Sequence, residues 1–159
     1  MTSSILSVKK ITTAMVVFLF IVLFNACKSK SDIKKGETDV SQNTDSLFKK
    51  YNLDKIKLPA GFKVDVYAEV PKARSMCVSP NGTVFVGTKD KSVYAVTDEN
   101  HDGKADKVYV IATGMNAPNG VAFRDGSLYI GTISTIYRMD SIESRLSNPP
   151  EPVVVYDKY

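Results

Sequence analysis

The second half of the chain repeats itself, and this repeat constrains the fold more than any other feature. Asn81–Thr88 (NGTVFVGT) recurs as Asp125–Thr132 (DGSLYIGT), an offset of 125 − 81 = 44 residues. Cys77-Val78 falls on Val121-Ala122 at the same offset, Ser92–Val96 on Thr135–Met139 at 43, and Val108–Ile111 on Val153–Tyr156 at 45. Four short apolar runs, kept in order at nearly constant spacing, argue against two unrelated hairpins that share an ending. A period of this size with four runs per unit is the signature of a four-stranded propeller blade. The expected fold is all-β: a β-propeller of four-stranded blades, with blade one over 74–113 and blade two over 120–159.

Local chemistry agrees with strands. Asn81-Gly82 and Asp125-Gly126 each separate the first and second runs, and both dipeptides tolerate the positive φ of tight hairpins. The second runs, TVFVG and SLYIG, are apolar almost throughout, as in strands covered on both faces. Gly87 and Gly131, which end them, suit a bend or a close backbone approach. Upstream, Phe62–Glu69 alternates polar and apolar residues and reads as a half-exposed strand outside the repeat. In a closed propeller it would be the latch that completes the last blade. That blade is not in this chain, and two blades cannot close a ring of about four to eight. The expectation is the N-terminal part of a longer propeller, a fragment.

The N-terminus reads as an address. Lys9 and Lys10 precede an apolar run, Ile11–Phe24, that ends at Asn25-Ala26-Cys27. A basic start, an apolar core and a small residue before the cut describe a lipoprotein-type signal peptide over 1–26, with Cys27 as the lipidated first residue of a protein held at the cell envelope. An uncleaved anchor is the alternative; against it, the run is shorter than the ~20 residues that span a bilayer. Simple secretion is a third reading. Residues 27–57 read as a polar tether with a short helix over Ser46–Leu58. The formal charge is +4; without Lys9 and Lys10 it is 19 − 17 = +2, with lysines interspersed among acids, which gives no nucleic-acid footprint. With Cys27 acylated, Cys77 has no disulfide partner and reads as a small buried apolar residue.

Two stretches can carry chemistry. In Asp98–Asp106 (DENHDGKAD), oxygen donors stand at positions one, three, five and nine, glycine at six and a carbonyl at seven. That is calcium-loop spacing, with Asp98, Asn100, Asp102, Lys104 (through its carbonyl) and Asp106 as the ligand set. Position twelve is Tyr109 rather than a bidentate Glu, so the site would be weak and structural; a metal-free Asp/Asn/Gly turn is the competing reading. The blade topology puts this loop on the rim opposite the usual ligand side. On the ligand side the polar candidates are Arg74, Lys89, Asn116 and Asn119, although Ala117-Pro118 and Asn119-Gly120 also suit a plain interblade turn. His101 would point away from a metal.

Taken in order, LPAGFKVDVYAEVPKARSM, SPNGTVFVGT, the long run from Ser92 to Asp140 and SNPPEPVVVYD resemble the start of the glucose/sorbosone dehydrogenase family, over about Leu58–Tyr159. The resemblance implies a six-bladed propeller, exported and often lipid-anchored, related to sugar dehydrogenases that depend on pyrroloquinoline quinone (PQQ). It implies oxidation of a sugar or aldose-type substrate, a calcium-type turn at Asp98–Asp106, and cofactor contacts at the rim that holds Arg74, Lys89, Asn116 and Asn119. The catalytic histidine and most quinone-contacting basic residues of such enzymes come from later blades, so no catalytic residue is assigned and this chain alone is expected to be inactive. The competing class is a non-catalytic propeller that binds a glycan or a protein. Assembly from several copies of the chain is a third possibility.

Overall fold

The computed structural model describes residues 37–39 and 44–158. The expected signal peptide, Cys27 and the start of the tether lie outside the described residues. The described chain is all-β apart from one short helix and two single turns of 3-10 helix. Its strands are β1 (Glu37–Asp39), β2 (Ala73–Val78), β3 (Val84–Thr88), β4 (Val93–Thr97), β5 (Lys107–Ala112), β6 (Gly120–Arg124), β7 (Ser127–Gly131), β8 (Ile136–Asp140) and β9 (Val153–Tyr156). Helix α1 covers Thr44–Lys50.

The strands form two antiparallel sheets. Sheet one runs β1-β5-β4-β3-β2 and sheet two runs β6-β7-β8-β9. Each unit of the sequence repeat is thus one up-and-down sheet of four strands, and sheet one gains β1 as a fifth. That strand is a correction: it falls inside the stretch expected to be a polar tether, yet Glu37, Thr38 and Asp39 pair with Tyr109, Val108 and Lys107. The helix is shorter and earlier than expected, because Asn52 takes a left-handed φ of 53° and the chain then makes a single 3-10 turn, Leu53–Lys55.

Phe62–Glu69 is not a strand, which corrects the half-exposed strand expected there. Its alternation is real, but among the described residues no sheet edge receives it. Instead Tyr67, Ala68 and Val70 lie across the outer face of sheet one, against Val86, Val96, Ala105 and Val108. A single backbone bond, Ala105 N to Tyr67 O at 3.0 Å, pins it.

The two glycine hairpins differ, and the difference resets the repeat. Asp125 and Gly126 both have positive φ, 51° and 78°, as a two-residue type I′ turn requires. In sheet one the turn holds three residues: Gly82 N donates to Ser79 O at 3.0 Å, and Ser79 N to Thr83 O at 3.0 Å. The extra residue slides β2 by one position. Met76 stands opposite Val86 and Cys77 opposite Phe85, whereas Val121 stands opposite Ile130 and Ala122 opposite Tyr129. The structural match of Val121 is therefore Met76, and Cys77 matches Ala122. The offset in this strand is 121 − 76 = 45 rather than 44. Because side chains alternate across a strand, one residue of slip exchanges the faces.

The main core lies between the sheets. Phe85, Val93, Ala95, Tyr109 and Ile111 of sheet one meet Leu128, Ile130 and Met139 of sheet two, and Ile142 closes the far end. Phe85 stacks on Phe123 with ring centroids 5.5 Å apart and an interplanar angle of 8°. Burying each large side chain of this set contributes about 1.5–3 kcal/mol. Cys77 packs at its margin, half-buried, and burial raises its thiol pKa. Burial favours the protonated thiol, as at a packing position.

Candidate functional site

Antiparallel pairing gives both sheets two common ends. At one lie the turn after β3, the loop from β5 to β6 and the turn after β7; this is the Thr88 end. At the other lie the loop from β4 to β5 and the long connection from β8 to β9; this is the Asp98 end. The two stretches singled out in the sequence fall at opposite ends, because one joins strands within a repeat and the other joins the repeats.

The Thr88 end is built on a backbone seam. A Cβ on Gly87 would lie 2.7 Å from both Pro118 O and Asn119 O, so only glycine lets the β5–β6 loop come this close. Thr88 N donates to Pro118 O at 2.9 Å, Met115 N to Lys91 O at 3.0 Å, and the Ser75 hydroxyl donates to Asn119 O. Ala117 is held at a φ of +48°, a left-handed conformation that costs a non-glycine residue energy. Pro118 then sits in a tight turn closed by Asn119 N to Ala117 O at 2.7 Å.

Of the four candidates here, Asn119 is the one set into the seam. Its Oδ1 is buried and has no hydrogen-bond partner among the described residues, and a buried unpaired acceptor calls for an explanation. Asn116 is exposed, and its carbonyl receives Ile133 N at 3.3 Å. Arg74 and Lys89 are exposed and have no ion-pair partner among the described residues. The structure thus places all four at one end but brings only Asn119 into a built environment.

Two cations at the same end were not singled out in the sequence. Lys72 pairs with Asp90 at 3.4 Å, and Lys89 N donates to Lys72 O at 3.1 Å, so the start of β2 and the turn after β3 hold Lys72, Lys89 and Lys91 together. The signal was spacing: Lys72 and Lys91 lie 19 residues apart, as hairpin partners do, but only strand pairing makes them neighbours.

At the Asp98 end the acidic loop is wired through its own backbone. The Asp98 carboxylate accepts from Asp102 N at 3.2 Å and Gly103 N at 2.9 Å, and Asn100 Oδ1 accepts from Asp102 N at 2.9 Å. Asp102 Oδ1 takes Lys104 N at 2.8 Å, and Asp106 Oδ2 takes Glu99 N at 2.7 Å. Gly103 has a φ of +84° and His101 of +57°, which produce the sharp turn. Among the described residues, no three or more His, Cys, Asp or Glu side chains gather closely enough to hold a metal ion. The carboxylates are spent on N–H groups, each with lone pairs to spare. Tyr67 stands near this loop, and its phenol pKa is raised, first by burial and then by the negative charges of Asp98 and Asp106.

Sequence reasoning missed a strap between the sheets. Glu143, on the 3-10 turn after β8, accepts from the Ser79 hydroxyl and from Asn81 Nδ2, the latter at 3.0 Å. A polar groove of about 330 Å³ runs alongside, lined by Asn81, Thr97, Glu99, Tyr109, Glu143 and Ser147 among others. A second groove, apolar and about 380 Å³, lies on the outer face of sheet one beneath Tyr67–Val70, where Met76, Val84 and Val86 form its floor.

Comparison with known proteins adds little beyond this geometry. A protein of Borreliella burgdorferi described as uncharacterized is 29% identical over 94 residues, which is 58% of this chain. The chain spans 23% of that relative's length. No family model matches, and no solved structure matches.

Proposed function

We propose that the two sheets are consecutive blades of a β-propeller, and that the chain is the N-terminal part of an exported protein like the glucose/sorbosone dehydrogenases, anchored by lipid at Cys27. The observation that carries the reading is the stacking of two repeat units, each a four-stranded up-and-down sheet, with the first strands β2 and β6 side by side at the seam. That is how blades set their innermost strands around a common axis. The parent reaction would be oxidation of a sugar or aldose-type substrate with PQQ as hydride acceptor.

What this chain offers such a cofactor is limited and specific. Arg74 and Lys89 could neutralise carboxylates, and the unpaired Oδ1 of Asn119 could accept a proton donor. Oxidation by hydride transfer also needs a base for the substrate's hydroxyl proton as the carbon gives up its hydride, and no described side chain is assigned that role. The test is to express the whole reading frame and follow sugar-dependent dye reduction after adding PQQ. Activity that needs PQQ and falls at least tenfold in Asn119→Ala supports the reading. A whole protein that binds no PQQ and reduces no dye sinks it, and leaves the binding module for a glycan or protein.

Calcium at Asp98–Asp106 belongs to the same proposal, as an ion that stiffens the loop. Asp98, Asn100, Asp102 and Asp106 would supply side-chain oxygens and Lys104 its carbonyl, once the carboxylates turn inward. Calcium titration with a thermal-melting readout checks this. A rise in melting temperature that Asp98→Asn abolishes is expected, and equal melting with calcium and with chelator would remove the ion from the account.

A further inference from the structure

The polar groove of about 330 Å³ at the Asp98 end contains a charge and a hydroxyl that its own walls leave unmet. It lies where the two repeats meet: Asn81, Thr97 and Tyr109 come from sheet one, and Glu143 and Ser147 from the connection between β8 and β9. Two carboxylates line it. Glu99 is met by Lys107 Nζ at 3.2 Å. Glu143 is met by neutral donors, the Ser79 hydroxyl and Asn81 Nδ2, and among the described residues no cation pairs with it. Arg145, two residues on, is exposed and does not line the groove. An ionised carboxylate accepts at about four lone-pair positions, so Glu143 keeps capacity for a further, charged donor. Its two neutral donors meanwhile hold it in place, which removes part of the entropy that a free side chain would lose on binding.

Thr97 supplies the second observation. Its Oγ1 is buried and has no hydrogen-bond partner among the described residues, whereas buried hydroxyls are ordinarily satisfied. The repeat shows what satisfaction looks like at this place. Thr97 corresponds to Asp140, an offset of 140 − 97 = 43 residues, and Thr83 to Ser127, an offset of 127 − 83 = 44. In sheet two the Ser127 hydroxyl donates to Asp140 Oδ1 at 2.8 Å, and Arg138 Nε pairs with the same oxygen at 2.8 Å. In sheet one no such bond joins Thr83 to Thr97, and both residues line the groove instead.

We propose that this groove binds a small hydroxylated amine, with its ammonium on Glu143 and a hydroxyl on Thr97 Oγ1, beside Tyr109 and Ser147. Two carboxylates in the wall repel an anion, and the one without a cation calls for positive charge. The hydroxyls of Thr97, Tyr109 and Ser147 call for a ligand that both donates and accepts. A volume of about 330 Å³ stands at the small end of ligand pockets, which suits one sugar-sized molecule rather than a chain. This goes beyond the dehydrogenase reading and does not rest on it, because the groove lies at the end opposite the rim of Arg74, Lys89, Asn116 and Asn119.

Amide NMR spectra of the full chain, titrated below neutral pH so that the amine is charged, test this with glucosamine, N-acetylglucosamine, glucose and ethylamine. Glucosamine should give saturable shifts at Asn81, Glu143 and Ser147. The two uncharged sugars should bind roughly tenfold more weakly, as the loss of one charge-assisted hydrogen bond predicts. Ethylamine keeps the charge and lacks the hydroxyls, and it should also bind more weakly than glucosamine. Glu143→Gln should erase the preference for glucosamine over glucose. Ser147→Trp fills the groove without touching the strap, so it covers the case in which Glu143→Gln loosens the fold; it should weaken glucosamine by a similar factor. Equal binding of glucosamine and glucose overturns the proposal, as does ethylamine binding as tightly as glucosamine. Saturable shifts confined to residues 98–106 or 112–120, or none at the three groove amides, overturn it as well. None of these titrations contains PQQ, so their outcome is separate from that of the dye assay.

Discussion

Sheet one and sheet two come from the same repeat, yet one is covered far more fully than the other. Sheet one has its inner face on sheet two, its outer face partly under Tyr67–Val70, and its last strand paired with β1. Sheet two has its inner face on sheet one, while β9 leaves Val153, Val154, Val155 and Tyr156 each about half exposed. Equivalent sequence therefore acquires unequal stability from its surroundings. Val84 and Val86 floor an open groove, whereas Leu128 and Ile130, their matches 44 residues on, are fully buried. Four half-exposed β-branched or aromatic residues on a sheet edge also form a template for further strand pairing.

Substitutions at matched places turn this contrast into numbers. The largest effect is expected at the shared core: Phe85→Ala should cost about 3–5 kcal/mol in urea unfolding, because a fully buried ring is lost together with its stack on Phe123. Met76→Ala, on the outer face and 67% exposed, should stay within about 0.5 kcal/mol. Equal costs at the two positions would mean that the core does not lie between the sheets.

The glycine pair is next. Gly87→Ala should destabilise by about 1–3 kcal/mol, since its Cβ meets two carbonyl oxygens at 2.7 Å that the seam cannot easily withdraw. Gly131→Ala, the same position in the second repeat, meets only the backbone of Gly120 at 3.9 Å and should cost well under half as much. Melting curves of the two variants side by side decide it, and the reverse order would show that the seam is not where these contacts put it.

The strap at the other end should matter less. Ser79→Ala removes a hydrogen bond to Glu143 and should cost about 1 kcal/mol, with a smaller additional loss when Asn81→Ala is combined with it. Full additivity of the pair would mean that Glu143 does not couple them.

The smallest effect is one of pH. Hydrogen bonds from Lys50 and then Tyr51 lower the Glu69 pKa, and those from Ser127 and then Arg138 lower that of Asp140. Both carboxylates titrate below their unfolded values, so their stabilisation is complete above the ordinary carboxylate range and is lost as pH falls through the lowered folded-state values. Both groups are at the surface, where solvent screens them, so the loss should be slight. Lys50→Met should flatten the part that comes from sheet one's approach segment, and Arg138→Met the part from sheet two. A stability profile unchanged by either variant would show that neither pair contributes.

Much of the fold was legible before any coordinates. The 44-residue offset, the apolar runs and the two glycine hairpins located eight of the nine strands among the described residues and divided them correctly into two sheets. Strand β1 was not legible, because Glu37-Thr38-Asp39 has no apolar pattern and is recruited only by the open edge of β5. Phe62–Glu69 differs from its expected strand for the opposite reason: its alternation is strand-like, but among the described residues no partner edge receives it. For the site, the two ends and their residues could be placed from loop order. The orphaned Asn119 acceptor, the Gly87 seam and the Glu143 strap could not, since each joins residues from different repeats.

Sequence alone determined the number of units, their internal strand order and the end at which each loop falls, because these follow from periodicity and turn chemistry along the chain. Only the tertiary structure decided which face each residue presents, since one extra residue in the Ser79–Thr83 turn exchanges the faces of β2. It also decided that Lys72, Lys89 and Lys91 gather at one end of sheet one. Charge along a chain carries no such order until antiparallel pairing brings alternate loops together.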